Sequence, residues 1–269
     1  MHGVPGALRE YRRSVIDLHS HLLPGLDDGA RDLEEALAMA RSMVEDGVTA
    51  VAATPHVHPR YRTPVHEMER ALEELRSALV AEGIPLEVLP GGEIALDELG
   101  GLSQDELVRF GLGGNPRLLL LEFPLYGWPL ALESTVHRFG DDGIVCVLAH
   151  PERNPDVQER PDLLEPLVAA GAVPQLTAAA VDGRMGKTQA RCASALIDRE
   201  LACLIASDAH APIVRAAGLS SARDAVGDEV LGKWLTEDVP AALLVGKTLP
   251  ERPVAQNRGR GWWRSPFGR

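Results

Sequence analysis

Apolar segments of this sequence repeatedly end in side chains that bind metal ions. The segment VIDLH carries Asp17 and His19 and leads to His21, and alternate residues of an extended strand share one side, so both imidazoles can reach one ion. The turn PGLDDGA that follows brings Asp27 and Asp28. Six of the seven apolar segments end in His, Asp or Glu, and the candidate ligands are His19, His21, Asp28, His56, Glu93, Glu122, His150, Asp208 and His210.

Each of these signals has an ordinary structural interpretation when taken alone. A single HxH pair is weak evidence, the segment SDAH is compatible with a helix cap, and His150 is compatible with a hydrogen-bonded core histidine. Glu122 is harder to explain in this way, because an acid inside the run LLLLEF needs a buried partner. The six signals recur at predicted strand ends, and their combination therefore predicts a metal site.

The types of the candidate ligands indicate which metals and how many. Five imidazoles and four carboxylates without a cysteine favour Mn²⁺, Fe²⁺ or Zn²⁺ over Ca²⁺ or a structural zinc–thiolate centre. Nine donors are too many for one ion, so we predict two or three ions that share bridging carboxylates. Such clusters hold their metals about 3.5–4 Å apart and activate water for the hydrolysis of phosphate esters.

Two arginines near the candidate ligands indicate that the site binds a phosphate group. Arg153 follows His150 in HPERN and Arg215 follows His210, so we predict that both guanidinium groups hold phosphate oxygens.

A cysteine-based tyrosine phosphatase needs an arginine at the sixth position after its cysteine. Cys146, Cys192 and Cys203 instead have Glu152, Asp198 and Ala209 at that position, so this chemistry is excluded. We interpret the thiols as buried in a reducing cytoplasm.

The elements that must position these residues alternate along the chain. Short apolar runs, little interrupted by polar residues, are typical of strands buried on both faces, and amphipathic helical patterns lie between them. Seven such strands predict an α/β fold with a parallel (β/α) barrel, and an open doubly wound sheet is the alternative. The strands are expected at 15–19, 48–54, 86–93, 118–124, 144–150, 173–176 and 202–208, and the helices at 32–46, from Thr63-Pro64 onward, and near 104–110, 130–139, 161–170, 187–199 and 222–235.

Length and composition exclude several classes of protein. The chain has 269 residues, 45% hydrophobic and 25% charged, which argues against a disordered chain or a small disulfide scaffold. Its net charge of −12 argues against nucleic-acid binding. No apolar run spans a bilayer and no signal peptide is evident, so we expect a cytoplasmic protein that is not integral to a membrane.

The chain is expected to form one domain with a tail. Residues 14–249 contain no linker-like segment, whereas residues 250–269 carry five arginines without helical or strand periodicity. We interpret this tail as disordered. The alternative is a contact with an anionic membrane surface or partner, with Trp262 and Trp263 as anchors.

The segments DLHSHLLPGLDDGA, ATPHVHPRY, GGEI, LLLEFP, LAHPERN and ASDAH resemble the PHP (polymerase and histidinol phosphatase) superfamily. Within this superfamily, the motifs are most similar in sequence to the bacterial manganese-dependent protein-tyrosine phosphatases of the CpsB/YwqE type. The resemblance covers roughly residues 14–230. Residues 175–186 depart from the family pattern without loss of an expected ligand.

The resemblance implies a distorted, TIM-like seven-stranded (β/α)7 barrel with three ions, most readily Mn²⁺, with Fe or Zn as alternatives. It implies that His19, His21, Glu93 and Asp208 hold one ion, that Glu93, Glu122 and His150 hold a second, and that Asp28, His56 and His210 hold the third. Arg153 and Arg215 match the arginines that contact phosphate in the family. The implied substrate is the phosphotyrosine-rich tail of a tyrosine kinase that drives capsule or exopolysaccharide synthesis.

The expected reaction is direct hydrolysis of phosphotyrosine by a metal-bridging hydroxide. Three alternatives stay open: a small-molecule phosphomonoesterase of the histidinol-phosphatase type, a phosphodiesterase or exonuclease, and a non-catalytic regulatory module. The acidic charge counts against the exonuclease, and the complete set of nine donors counts against the non-catalytic module.

Overall fold

Ten strands form two sheets within residues 11, 14–210 and 217–254, the part of the chain that this computed structural model describes. The first sheet is parallel, with the order β1-β2-β5, and comprises β1 (Val15–Ser20), β2 (Val48–Ala53) and β5 (Glu87–Leu89). The second has the order β10-β9-β8-β7-β6-β3-β4. Its members are β3 (His56–His58), β4 (Tyr61–Arg62), β6 (Glu93–Ala95), β7 (Leu118–Glu122), β8 (Val145–Ala149), β9 (Val173–Thr177) and β10 (Leu204–Ala206).

The mixed α/β fold with parallel sheets is confirmed, but a closed seven-stranded barrel is not shown. The strands stay in two sheets that meet at a single-residue bridge between Ser20 and Ala209. Two extended segments pass from the first sheet to the second, β2 into β3 at Pro55 and β5 into β6 at Pro90. Proline has no N–H to donate to a sheet ladder, so strand pairing changes at both positions. The apolar segment predicted at 86–93 therefore belongs to two strands in different sheets.

Pairing is parallel throughout, with the exception of one short hairpin that the strand predictions did not include. β3 and β4 pair antiparallel, with Val57 opposite Arg62 and His58 opposite Tyr61. This hairpin lies at the edge of the second sheet, and its first residue is the candidate ligand His56. Its strands have three and two residues, too short for a periodic pattern in the sequence.

The α-helices of the described residues are α1 (Leu33–Glu45), α2 (Val65–Ala81), α3 (Gln104–Arg109), α4 (Leu132–Asp141), α5 (Pro155–Glu159), α6 (Glu165–Ala169), α7 (Ala178–Val181), α8 (Lys187–Asp198), α9 (Ser220–Ala225), α10 (Glu229–Lys233) and α11 (Val239–Leu244). Most of them lie in the predicted segments with shifts at their ends, but α5, α7 and α11 were not predicted. The predicted helix near 222–235 is divided into α9, α10 and a π-helical turn at Trp234–Asp238.

The two longest helices begin in different ways. Asp32 caps α1, since its side chain accepts a hydrogen bond from Glu35 N at 2.9 Å. The Glu35 carboxylate accepts hydrogen bonds from Arg31 rather than from the backbone of Asp32, so the cap is not reciprocal. In α2 the N-cap is Pro64, in an extended conformation with ψ 143°, so Thr63 does not cap the helix and Pro64 is not its first helical residue. The apolar face of α2, which includes Met68, Leu72, Leu75 and Leu79, is buried.

The strands that carry the candidate ligands are buried, as their composition predicted. In β7 and β8 the aliphatic side chains of Leu118–Leu121 and Cys146–Ala149 are at most 1% exposed. Leu, Val, Ile and Ala fill most of the core, with few aromatic rings. Among the described residues, no helix combines the length and apolar character needed to cross a bilayer.

The start of the predicted tail packs on the domain. Arg252 donates hydrogen bonds to the carbonyl oxygens of Ala202 at 2.7 Å and Ile197 at 2.9 Å, and its guanidinium lies 5.1 Å from the ring centroid of Trp234. The Trp234 indole donates to the Pro250 carbonyl oxygen at 3.1 Å. The rest of the tail prediction, including Trp262 and Trp263, lies outside the described residues.

Candidate metal centre

The carboxyl ends of the parallel strands bring all nine candidate ligands to one site. His19 lies on β1, and His56 and Glu93 lie just beyond the ends of β2 and β5, where β3 and β6 begin. Glu122 ends β7, and His150 directly follows β8. His21 and Asp28 follow β1, and Asp208 and His210 follow β10. Parallel strands end at the same edge of a sheet, so residues distant in sequence become neighbours there.

One group of donors surrounds a common point between β1, β6 and the end of β10. His19 Nε2 and His21 Nε2 lie 3.2 Å apart, and each is 3.2 Å from Glu93 Oε2. Both imidazole nitrogens are also 3.5 Å from Asp208 Oδ1. Two ligands that each lie about 2.0–2.2 Å from one ion are separated by about 3.0–3.6 Å. The spacing of this group therefore suits a shared metal ion.

Glu93 links this group to a second one. Its Oε1 lies 2.8 Å from His150 Nε2, and its Oε2 lies 3.0 Å from His56 Nδ1. Glu122 Oε2 lies 3.9 Å from the same His56 nitrogen. The carboxylate of Glu93 thus faces ligands on both sides, which is the geometry of a bridging ligand.

Asp28 anchors a third group at the more exposed side of the site. Its Oδ1 lies 3.3 Å from His210 Nε2 and 3.5 Å from His56 Nε2. One atom from each of Asp28, His56, His210 and His21 lies within 4.8 Å of the others. The groups overlap at His19, His21, His56 and Glu93, so they form one continuous cluster.

Hydrogen bonds from outside the cluster orient two of the imidazoles. His19 Nδ1 lies 2.9 Å from Gln175 Oε1, and His21 Nδ1 lies 2.7 Å from Asp27 Oδ2. Since carbonyl and carboxylate oxygens only accept, both Nδ1 atoms carry the proton and both Nε2 lone pairs face the cluster. We did not predict the role of Gln175. One feature of the sequence could have indicated this role: of the seven predicted strands, only the one that carries Gln175 does not end in an acid or a histidine.

Burial and neighbouring charges shift the pKa values of the imidazoles in opposite directions. Burial alone would lower the pKa of His56, but the neighbouring carboxylates of Asp28 and Glu93 raise it to about 9. Burial would likewise lower the pKa of His21, yet Asp27 holds it well above its usual range. His150 is the exception, because burial and Arg153 lower its pKa to about 4. Cations that bind here would replace these protons, so metal binding is expected to release them.

Several buried ligand atoms lie where a bound cation would satisfy them. His56 Nδ1, Glu93 Oε2, Glu122 Oε2 and His150 Nδ1 are buried without a hydrogen bond of good geometry among the described residues. Such atoms are costly in a folded protein unless an ion or water satisfies them. The nitrogen and oxygen donors present are those that Mn²⁺, Fe²⁺ and Zn²⁺ bind. The residues of the site therefore fit metal ions.

Two candidate ligands adopt a backbone conformation that is uncommon for residues other than glycine. His150 has φ 41° and Asp208 has φ 50°, both in the left-handed region. Residues held in this region are commonly found at functional sites, where the surrounding structure imposes the conformation.

Of the two predicted arginines, Arg153 lies at the cluster. Its Nη1 donates to Asp208 Oδ2 at 3.1 Å, and its side chain is 20% exposed. Arg153 also lines a cleft of about 200 Å³ above the donors, together with His58, Arg60, Tyr61 and Leu125. Arg215 lies outside the described residues. Sequence reasoning did not identify Tyr61 and Leu125, which carry no metal-binding group.

Sequence and structure comparisons identify the relatives of this chain. It is 37% identical over 198 residues to the tyrosine-protein phosphatase YwqE of Bacillus subtilis, covering 73% of this chain and 77% of that protein. It is 25% identical over 204 residues to the tyrosine-protein phosphatase CpsB of Streptococcus pneumoniae, covering 73% of this chain and 83% of that protein.

Solved structures show the same relationship. The chain superposes with a TM-score of 0.80 and 34% identity on a structure from work on YwqE and CpsB, there called metal-dependent tyrosine phosphatases, covering 90% of this chain and 100% of that one. An organophosphorus hydrolase variant from Deinococcus radiodurans shares the fold alone, with a TM-score of 0.55 and 14% identity over 89% of this chain and 95% of that one.

A family model supports the assignment over most of the chain. Residues 15–240 match the model described as capsular polysaccharide synthesis, CpsB/CapC, a range that includes all nine candidate ligands and Arg153. The chain therefore belongs to the CpsB/CapC family of capsular polysaccharide synthesis proteins.

Proposed function

We propose that this chain is a metal-dependent protein-tyrosine phosphatase whose substrate is a phosphotyrosine-containing protein, specifically a bacterial tyrosine kinase that controls capsule or exopolysaccharide synthesis. The observation that carries the proposal is the continuous cluster of five imidazoles and four carboxylates at the strand ends, in which four imidazole nitrogens lie 2.8–3.2 Å from the Glu93 carboxylate. The relatives named as tyrosine phosphatases support the choice of substrate.

In this proposal the cluster holds three ions, and manganese is the metal we expect. His19, His21, Glu93 and Asp208 hold one ion, Glu93, Glu122 and His150 hold the second, and Asp28, His56 and His210 hold the third. When bound, the metals supply Lewis acidity toward phosphate oxygens and a water activated for attack. Gln175 and Asp27 keep His19 and His21 in the tautomer that binds metal.

Residues of the cleft above the cluster bind the phosphoryl group of the substrate. Arg153 holds an oxygen of the phosphoryl group and stabilises the charge that develops on it. We assign the same role to Arg215. A phenolate is a good leaving group and needs little protonation, so we assign no general acid.

We further propose that residues 14–249 form a single phosphatase domain and that it acts in the cytoplasm, where its three buried free cysteines would stay reduced.

The experiment that tests the proposal compares substrates and metals directly. Metal-stripped protein is assayed for phosphate release from a phosphotyrosyl peptide, the matching phosphoseryl peptide and histidinol phosphate, with Mn²⁺, Fe²⁺ or Zn²⁺ added back. We expect Mn²⁺-dependent release that is fastest with phosphotyrosine. A preference for histidinol phosphate would assign the protein to small-molecule metabolism. No release from any substrate, with metals bound, would overturn the proposal in favour of a regulatory module.

Variants separate metal binding from phosphate binding. His150→Ala and Asp208→Ala are expected to abolish activity and reduce bound metal while the circular dichroism spectrum is preserved. Arg153→Ala is expected to lower turnover with its metal content intact, and Arg41→Ala, at an exposed ion pair on α1, serves as its control. Near-wild-type turnover of either ligand variant would contradict the assigned ligands, and metal loss in Arg153→Ala would contradict its phosphate role.

A further inference from the structure

The cleft above the metal donors has two kinds of lining. Its floor consists of candidate ligands and Arg153, all suited to a phosphoryl group. The β3–β4 hairpin contributes His58, Arg60 and Tyr61 to the same cleft, and the loop after β7 contributes Leu125. Neither Tyr61 nor Leu125 has a role in holding metal, so their presence at this opening calls for a separate explanation.

The Tyr61 ring is held in place by its neighbours. It stacks on the candidate ligand His56, with ring centroids 5.7 Å apart and an interplanar angle of 13°. The Arg60 guanidinium lies 5.2 Å from the Tyr61 ring centroid, and Arg60 N donates to His58 Nδ1 at 3.1 Å. These contacts restrict the Tyr61 side chain before a substrate arrives, which reduces the entropy lost on binding.

The loop after β7 presents apolar side chains to solvent although it is anchored. Leu125 is 38% exposed and Tyr126 is 84% exposed. Asn154 Nδ2 donates to the carbonyl oxygens of Pro124 at 2.7 Å and Gly127 at 3.0 Å, which brackets these two residues. Asn154 directly follows Arg153, so the same short segment fixes the floor and one wall of the cleft.

We propose that Tyr61 and Leu125 form a subsite that binds the aromatic ring of an aryl phosphate and so selects phosphotyrosine over alkyl phosphates. The proposal rests on the proposed phosphatase function. An aryl phosphate carries a flat apolar ring one bond from its ester oxygen. With the phosphoryl group on the floor of the cleft, that ring lies at the level of its walls, where apolar contact is favourable. An alkyl phosphate has no ring to occupy this position.

The test measures ring binding apart from chemistry. Phenylphosphonate and methylphosphonate, which cannot be hydrolysed at their P–C bond, are used as competitive inhibitors of metal-loaded protein, with phenyl phosphate as the substrate. The ratio of the two inhibition constants reports the contribution of the ring. For Leu125→Ala and Tyr61→Ala we expect this preference for phenylphosphonate to fall by about three- to tenfold, with inhibition by methylphosphonate unchanged. Tyr61→Phe, which keeps the ring, should retain the preference.

Matched controls make the outcome decisive. Val230→Ala removes an exposed apolar side chain of α10, 56% exposed and remote from the cleft, and should leave the preference unchanged. Metal content is measured for every variant. If Tyr61→Ala loses metal because its contact with His56 is removed, the result for Leu125→Ala is used by itself to accept or reject the subsite. An unaltered preference in metal-loaded Leu125→Ala would overturn the subsite. If wild-type protein hydrolyses no phosphotyrosine, the proposed function fails instead, which is a distinguishable result.

Discussion

At the scale of single residues, Glu93 is the centre of the site. Its carboxylate is fully buried and lies within 3.2 Å of nitrogens from His19, His21, His56 and His150. Burial by itself would raise the pKa of the Glu93 carboxyl group. His19 and the other imidazoles outweigh this effect and hold the pKa of Glu93 well below its usual range, so the carboxylate is stabilised as an anion. An anion that faces several ligand groups is well placed to join them through metal.

Replacing Glu93 by glutamine tests this central position. The amide presents an N–H group where the carboxylate offers a lone pair, so we expect Glu93→Gln to lose bound metal and at least about 100-fold in activity. Metal content by plasma emission spectroscopy and phosphate release are the measurements. Glu73→Gln, at an exposed position of α2, should match wild type. Full metal occupancy in Glu93→Gln would contradict the bridging position.

The three cysteines allow an independent residue-scale prediction. Burial raises the pKa of Cys146 and Cys192 to about 12 and that of Cys203 to about 11, so their thiols stay protonated at neutral pH. We expect iodoacetamide at pH 8 to leave activity unchanged and a thiol-reactive dye to detect three thiols only after denaturation. Activity that decreases in step with labelling of one cysteine in the native protein would argue for thiol chemistry.

At the scale of elements, the turn between β1 and α1 positions several parts of the site at once. Ala30 N donates to the His21 carbonyl oxygen at 3.0 Å, and Asp27 Oδ1 accepts from Gly29 N at 2.9 Å. Asp27 Oδ2 also accepts from His56 N at 2.9 Å, so the turn connects β1 with β3. A Cβ atom at Gly29 would overlap the carbonyl oxygen and Cβ of His21, so this turn requires glycine at that position.

The element-scale prediction follows from this close approach. Gly29→Ala must displace either His21 or the Asp27–Asp28 turn, and we expect metal affinity at least about tenfold weaker together with a lower melting temperature. Calorimetric metal titration and thermal unfolding measure the two effects. Gly100→Ala is the control, because a Cβ there meets no atom within 4 Å. Wild-type affinity in Gly29→Ala would mean that the turn does not position His21.

At the scale of the whole molecule, the acidic net charge is expected to affect the approach of an acidic phosphopeptide. The chain carries a net charge of −12, and a phosphopeptide rich in acidic residues is repelled by that field at low salt. The Debye length falls from about 30 Å at 0.01 M to about 8 Å at 0.15 M ionic strength, so salt should screen this repulsion.

We therefore expect the KM of an acidic phosphotyrosyl peptide to fall about two- to threefold over this range of ionic strength, with kcat unchanged. Steady-state kinetics at several salt concentrations provide the measurement. The same peptide with Asn and Gln in place of its acids should respond less. A KM that rises with salt would indicate that a basic surface, rather than the acidic body, meets the substrate.

The sequence by itself determined which nine residues are the candidate donors, their recurrence at strand ends and the alternation of apolar strands with helices. These follow from local chemistry, because apolar runs, helical periodicity and metal-binding side chains are all visible within short segments. Only the tertiary structure decided that Pro55 and Pro90 divide the strands between two sheets, that Gln175 and Asp27 orient the imidazoles, and that Tyr61 and Leu125 share one cleft. Each of these depends on contacts between residues far apart in the chain, and no local pattern encodes such contacts.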